Sequence, residues 1–289
     1  MEPYKTILRE RARLMRRAEK ELFNLVSNQQ KTLIRRVISR MRNALSIRGG
    51  VIQQGADYDD ILRSSYFQTI YEQLFGKPVS RLFEQKLEEL FGLNAQYFQR
   101  YFEGAADIAS IVEGKFTQVS SDFLRAYRQN QTVGQEIKRI VLSAIQKGVG
   151  FDELKKDLTF AILGAPDRYG IAENYTFFRT RLQDTFAEYD RSVQNEYAQR
   201  LSLNYAIYAG GEIETTRTFC EDRNNEVFKR EEMLAWNNQN WDGKIEGSNV
   251  LLTLGGYNCR HFLNWISYEL AERLRPGIGR SIFDTQIVN

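Results

Sequence analysis

Thr215-Thr216-Arg217-Thr218-Phe219-Cys220-Glu221-Asp222-Arg223 and, about thirty residues on, Leu254-Gly255-Gly256-Tyr257-Asn258-Cys259-Arg260-His261-Phe262-Leu263 mark where the texture of this chain changes. Between Thr215 and Ile266 lie both cysteines, the only histidine and all three tryptophans (Trp236, Trp241 and Trp265). Two soft ligands about forty residues apart, with a histidine two positions after the second, predict a compact knot. Upstream of Gly210-Gly211 the sequence reads as helix. The expected fold is therefore mainly α, a long-helix bundle followed by a small C-terminal α+β domain with short strands.

Immediately upstream, Phe178, Leu182, Phe186, Tyr189, Val193, Tyr197, Leu201, Tyr205 and Tyr208 follow at steps of three or four. No Gly or Pro interrupts before Gly210, which predicts one long helix through Tyr208. Before it, Gln135 to Lys147 is a helix closed by Gly148, and Phe151-Asp152 opens another with Asp152 as its N-cap. Between Tyr58 and Arg128 shorter helices are expected. Ile61, Leu62, Tyr66, Ile70 and Leu74 mark one, Gly76-Lys77-Pro78 stops it, and Leu82, Phe83, Leu87, Leu90 and Phe91 mark the next. Tyr97, Phe98, Tyr101 and Phe102 read as a packing face.

Residues 4–46 hold no Gly or Pro, and their apolar residues fall at helical spacing. Leu22, Leu33 and Ala44 recur every eleven residues, as do Tyr4, Met15, Val26 and Val37, a period that keeps a stripe nearly straight along a long helix. Gly49-Gly50 should end it. This helix is also basic: through Arg48 there are 13 Lys and Arg against 4 acids, a balance of +9, while the remainder carries −6. Arg9, Arg13, Arg16, Arg17, Arg35, Arg36 and Arg40 are the candidate contacts with a partner or with nucleic acid. Three readings stand: a solvated face paired with acids of the same chain or a neighbour, contact with phosphate, or a membrane-surface helix. The last fits poorly, because glutamates interrupt the polar face. An intermolecular partner would also draw on Leu22, Val26, Leu33 and Val37.

After Gly211, β-branched residues over 212–219, the Asn224-Asn225 turn and Val227-Phe228 predict a small hairpin. Residues 249–254 are a third strand candidate, Arg230 to Trp236 a short helix, and Tyr268 to Arg275 a last helix ended by Pro276-Gly277.

At 289 residues the chain can bury a full core, and its 4 prolines favour helix. No apolar run reaches the roughly 18 residues of a membrane span, and the first twenty residues are too charged for a signal peptide. Two cysteines do not make a disulfide framework. The expectation is a soluble chain assembled in a cytoplasm.

Cys220, Cys259 and His261 supply three good zinc ligands, with Glu221 or Asp222 as a fourth. The first expectation is nonetheless a reduced thiol pair packed as small hydrophobes with no cofactor, and zinc and a disulfide are the alternatives. Arg217 and Arg260 suit a structural role, their guanidinium donors satisfying carbonyls that short strands leave over, with Asp222 and Glu221 as counter-charges. A Cys-His nucleophile lacks an evident orienting residue, and the carboxylate pairs Glu221-Asp222 and Glu231-Glu232 are ordinary surface features. The chain is not expected to be an enzyme.

Arg217-Thr218 with a cysteine just after it, a turn and Val227-Phe228, then Asn258-Cys259-Arg260-His261 some thirty residues on, resembles the phage Mu protein F-like minor head proteins, also called phage head morphogenesis proteins. The likeness covers roughly residues 131 to 267, including a helix pair and a long helix bearing Arg179-Thr180. Several members carry Cys-x-x-Cys in the first element, where this chain has Arg223 as the last residue. The resemblance implies a structural minor head protein of a tailed phage, inside the capsid near the portal, in multiple copies per virion. It would assist head assembly and DNA packaging or ejection, with portal protein, major capsid protein and phage DNA as partners. The alternative is a nucleic-acid-binding protein or nuclease using the basic helix and the Cys/His domain. The domains expected are a basic amphipathic helix (1–50), a helical domain ending in a long helix (51–210) and the Cys/His domain (211–289).

Overall fold

The computed structural model describes residues 3–55, 66–111, 113, 114, 121, 133–163 and 171–284; a few side chains, among them those of 171–181, are outside that description. The first helix, α1, spans Pro3–Ala44. Its buried positions repeat as the sequence period predicts, with Leu22, Leu33 and Ala44 all inside, but the stripe begins with a cation: Arg11, in the same register, is fully buried. Leu22, Val26, Leu33 and Val37 are likewise buried within the chain, so they are core and not the apolar half of an intermolecular contact.

Gly49 and Gly50, both at positive φ, do not simply end the helix. They form the two-residue turn of a hairpin, β1 (Leu45–Arg48) against β2 (Val51–Gln54), with Arg48 opposite Val51. Two consecutive positive-φ residues are what such a turn demands, and glycine adopts them without strain. The expected helix start at Ile61 and Leu62 lies outside the described residues. From Tyr66 the chain stays helical, through α2 (Tyr66–Tyr71), a π-turn (Glu72–Gly76) and α3 (Lys77–Tyr101). Gly76-Lys77-Pro78 is therefore not a stop. Pro78 has no N–H to give, and the wide turn just before it absorbs the lost helical bond.

Helices α4 (Val133–Lys147) and α5 (Phe151–Leu163) follow as expected. Gly148, at φ +65, closes α4 while the next N–H returns to the Ala144 carbonyl. Asp152 sits inside the first turn of α5, whose first bond runs from the Leu154 N–H to Gly150. The long helix α6 covers Ile171–Arg200 and stops eight residues short of the expected end. Ser202 takes a left-handed φ of 53, the Leu203 N–H returns to Ala198, and Tyr205–Ala209 becomes strand β3. Tyr205 and Tyr208 continue the helical spacing, but a short apolar run satisfies either period, and two pairing partners decide for the strand.

Those partners are β4 (Val227–Lys229) and β5 (Phe262–Ile266), both antiparallel, in the order β4-β3-β5. The hairpin expected from residues 212–219 is thus replaced: β4 pairs with β3, and Thr218–Glu221 is a helical turn, α7. The strand expected at 249–254 is a helical turn as well, α9 (Val250–Thr253), because the Asn249 side chain accepts the Leu251 N–H as an N-cap. Between them lies α8 (Arg230–Ala235), and α10 (Tyr268–Leu274), capped by Ser267, is the last described α-helix. The fold is mainly α with a small α+β C-terminal region of short strands. No described helix is long and apolar enough to cross a membrane.

The chain divides into two compact units, and α1, α3 and α6 each contribute residues to both. One unit comprises residues 1–17, 85–121 and 181–289, and holds the three-stranded sheet. The other comprises residues 18–84 and 122–180, and holds the hairpin, α2, α4 and α5.

Candidate functional site

Helical spacing on α7 turns Phe219 and Cys220 inward and leaves Glu221 and Asp222 exposed. The segment entering β5 brings Cys259 and His261 to the same place. Cys220 Sγ lies 3.9 Å from Cys259 Sγ, which lies 3.9 Å from His261 Nδ1, and all three ligand atoms fall within 4.8 Å of one another. The three side chains are 2, 3 and 4% exposed. The cysteines are free thiols. The expected fourth ligand is not there: neither Glu221 nor Asp222 belongs to the cluster.

Two glycines make this approach possible. A Cβ at Gly255 would sit 2.4 Å from Cys220 Sγ and 3.1 Å from Cys259 Sγ, and one at Gly210 would sit 2.4 Å from the His261 ring. Tyr208, from β3, donates its hydroxyl to Cys220 Sγ at 3.1 Å and stacks on His261 with ring centroids 5.2 Å apart. The hydrogen bond from Cys220 and then, against the effect of burial, the charge of Arg191 pull the Cys259 thiol well down, while Cys220 is pushed up. Of the two thiols, Cys259 is the more acidic.

Arg191 of α6 braces the knot. It is buried, and it donates to the Cys259 carbonyl at 2.7 Å, to the His261 carbonyl at 2.7 and 3.1 Å, and to the Leu252 carbonyl at 2.8 Å. This is the role the sequence assigned to Arg217 and Arg260. Arg260 is exposed and makes no hydrogen bond among the described residues, while Arg217 lies half-buried with its guanidinium against Gly243. Asp222, exposed, ends α7 through its backbone N–H, which reaches the Thr218 carbonyl at 2.9 Å. Arg179 lies on α6, but its side chain is outside the described residues. Arg223, at the place of the resembled family's second cysteine, lies 3.9 Å over the Phe219 ring and bonds the Phe219 carbonyl at 2.8 Å.

A second buried network escaped the sequence reading. Arg11 donates to Asn264 Oδ1 at 3.0 Å and Asn94 Oδ1 at 3.3 Å, and its Nε faces Asp190 Oδ1 at 3.4 Å, an ion pair without hydrogen-bond alignment. Asp190 also accepts from Asn94 at 2.9 Å and Gln194 at 2.7 Å. Burial pulls the Arg11 guanidinium down and Asp190 pushes it back up. The signal was the eleven-residue period, which aligns Arg11 with Leu22, Leu33 and Ala44. Arg230 completes the frame: it stacks 4.1 Å over Trp265, bonds Asn195, Asn204 and the Leu203 carbonyl, and is pulled down to about 10 by burial.

The candidate contact arginines divide by surroundings. Arg13 and Arg16 in one unit, and Arg36 in the other, are exposed with no ion pair among the described residues. Arg9 is exposed, and Arg17 pairs with Glu89 at 3.3 Å. Arg35 bonds the Lys31 carbonyl and Thr32 on its own helix, and Arg40 is half-buried beside the Tyr66 ring.

No family model, curated protein or solved structure matches this chain.

Proposed function

We propose that the chain is a structural minor head protein of a tailed phage, present in several copies inside the capsid near the portal, where it assists head assembly and DNA packaging or ejection. What carries this reading is the junction of the two motif elements that resemble the head-morphogenesis family. Residues 218–228 and 258–263 meet in one buried knot, Cys220 against Cys259 and Arg191 holding the carbonyls of Cys259 and His261. Its chemistry is that of a brace. Cys259 and His261 are too buried to meet a substrate, and Glu221 and Asp222 face solvent away from them. In this reading the chain works without catalysis, through surfaces.

The surface it offers is the exposed part of α1, where Arg13, Arg16 and Arg36 form no ion pair among the described residues. An acidic portal or capsid surface is the first partner. Those same arginines suit DNA phosphate, which makes nucleic-acid binding the second reading. The test starts from the neighbouring genes, which this proposal expects to include a portal and a capsid gene, and co-expresses them with the chain before heads are isolated. The chain should co-purify with heads, and Arg13→Glu, Arg16→Glu and Arg36→Glu together should lower its incorporation by roughly tenfold, because exposed charges steer and register contacts without holding the fold. Heads that form normally and never contain the chain would overturn the proposal. Binding to DNA that weakens steeply with salt, with no association with heads, would favour the second reading.

A further inference from the structure

We propose that Cys220, Cys259 and His261 hold one structural zinc ion that ties α7 to the segment entering β5. This stands apart from the head-protein reading and depends only on the geometry of the cluster. With Zn–S near 2.3 Å and Zn–N near 2.0–2.1 Å, a tetrahedral site sets its ligands about 3.8 Å apart for two sulfurs and about 3.5 Å apart for sulfur and nitrogen. The observed separations are 3.9 Å for both pairs that include Cys259. The third pair, Cys220 and His261, lies within 4.8 Å, so the three ligand atoms close on one ion with a small side-chain shift.

His261 supplies the second, independent observation. It is 4% exposed, yet among the described residues Nδ1 has only the Cys259 sulfur at 3.9 Å and Nε2 has no partner. A buried imidazole left so poorly bonded is costly, and a metal at Nδ1 removes that cost for one nitrogen. The glycines point the same way. Gly255 and Gly210 leave open the space that a Cβ would take from the sulfurs and the ring, so the ligands converge without backbone obstruction. Binding converts both thiols to thiolates: two S–Zn bonds and one N–Zn bond form, and the two thiol protons pass to solvent. The imidazole binds neutral. The Tyr208 hydroxyl, 3.1 Å from Cys220 Sγ, then donates to a coordinated thiolate as an outer-shell partner, and a water fills the fourth position. Three protein ligands with a water in the fourth position make the open arrangement of catalytic zinc, but here burial of all three ligands shuts a substrate out, so the ion serves to hold the loops together.

The test uses the full chain, reduced, loaded with zinc chloride and desalted. Elemental analysis should give one zinc per chain, and cobalt in its place should give the thiolate charge-transfer and intense visible bands of a tetrahedral site. Both thiols should resist a disulfide-exchange reagent until a chelator is added, a readout on the unaltered protein that does not depend on a variant folding. Cys220→Ser and Cys259→Ser should each bring stoichiometric zinc to none, with the helical circular dichroism signal retained. A reduced wild-type chain that keeps no zinc, or a Cys220→Ser/Cys259→Ser double variant that keeps as much as wild type, overturns the proposal.

Discussion

Replacing Arg191 with alanine removes the guanidinium that ties the Leu252, Cys259 and His261 carbonyls to α6, while Gln183 and Asp184 of the same helix keep their bonds to Asn258. Four N–H···O contacts to three carbonyl oxygens disappear, those of Cys259 and His261 being buried where no water replaces the donor. A buried polar group left without its partner costs about 1–3 kcal/mol, which puts Arg191→Ala near 3–6 kcal/mol for the two or three carbonyls affected. Whole domains rest on about 5–15 kcal/mol, so this is a large share. In urea, with a slope of about 1–3 kcal/mol per molar, the midpoint should fall by roughly 2 M. All three tryptophans lie in the same compact unit as Arg191, so their fluorescence reports this transition directly. Arg191→Lys should recover only part of the loss, because a single ammonium lacks the planar fork that reaches three oxygens at once. A midpoint shift of less than about 0.3 M for Arg191→Ala, corresponding to under about 1 kcal/mol, would refute the role of Arg191 as the brace.

Two further expectations rest on buried charge. Asp190→Ala leaves the Arg11 cation fully buried without its acid and should cost about 3–5 kcal/mol, whereas Arg11→Met with Asp190→Leu should recover most of that; chemical denaturation of the single and double variants would expose an absent coupling. The second concerns acid. Burial raises the Glu232 carboxyl, but bonds from Arg275 at 2.8 and 2.9 Å and from the Lys229 N–H at 2.7 Å outweigh it, and Asp284 is held low against burial by the Tyr205 hydroxyl, Asn204 and Ser281. Carboxyls lowered by folding contribute stability that is complete above their unfolded values, about pH 4, and that drains as pH falls through the folded ones. Thermal melts should therefore lose stability below about pH 4, with a shallower fall in Glu232→Gln; an equal slope in that variant would count against the assignment.

Much of the helical part was legible because long periodic stretches leave little choice. The eleven-residue recurrence of Leu22, Leu33 and Ala44 located the buried stripe of α1, and Gly148 marked the end of α4. The C-terminal sheet was harder. Its strands are three to five residues long, and Tyr205 and Tyr208 fit a continuing helix as well as they fit β3, so only pairing with β4 and β5 distinguishes the two. The cluster was legible because the sequence offers a single histidine and two cysteines, which limits how they can meet. Its brace was not. Asp190-Arg191 looks like solvated charge until Phe186, Val193 and Tyr197 are seen to place Asp190 on the inward face, with Ala187, Gln194 and Ala198 placing Arg191 beside it. Because α6 is buried on a wide arc, its polar residues are inside for the same reason as its apolar ones.

The basic character of α1 changes meaning once its cations are sorted by surroundings. Arg11 belongs to the core, bound to Asp190, Asn94 and Asn264, and Arg17 is paired with Glu89. A deletion of the first 48 residues would thus remove core groups along with surface charge, and failure of such a truncation to assemble would say nothing about a partner. Arg13, Arg16 and Arg36 are different: they are exposed, they form no ion pair among the described residues, and their loss leaves the buried stripe untouched. Substitutions at exposed positions without such partners change stability by about 0.5 kcal/mol or less. An assembly or DNA-binding defect at those three positions therefore reports contact with another molecule, whereas one at Arg11 reports unfolding. It is the burial of each arginine, and not the net charge of the helix, that separates the two causes.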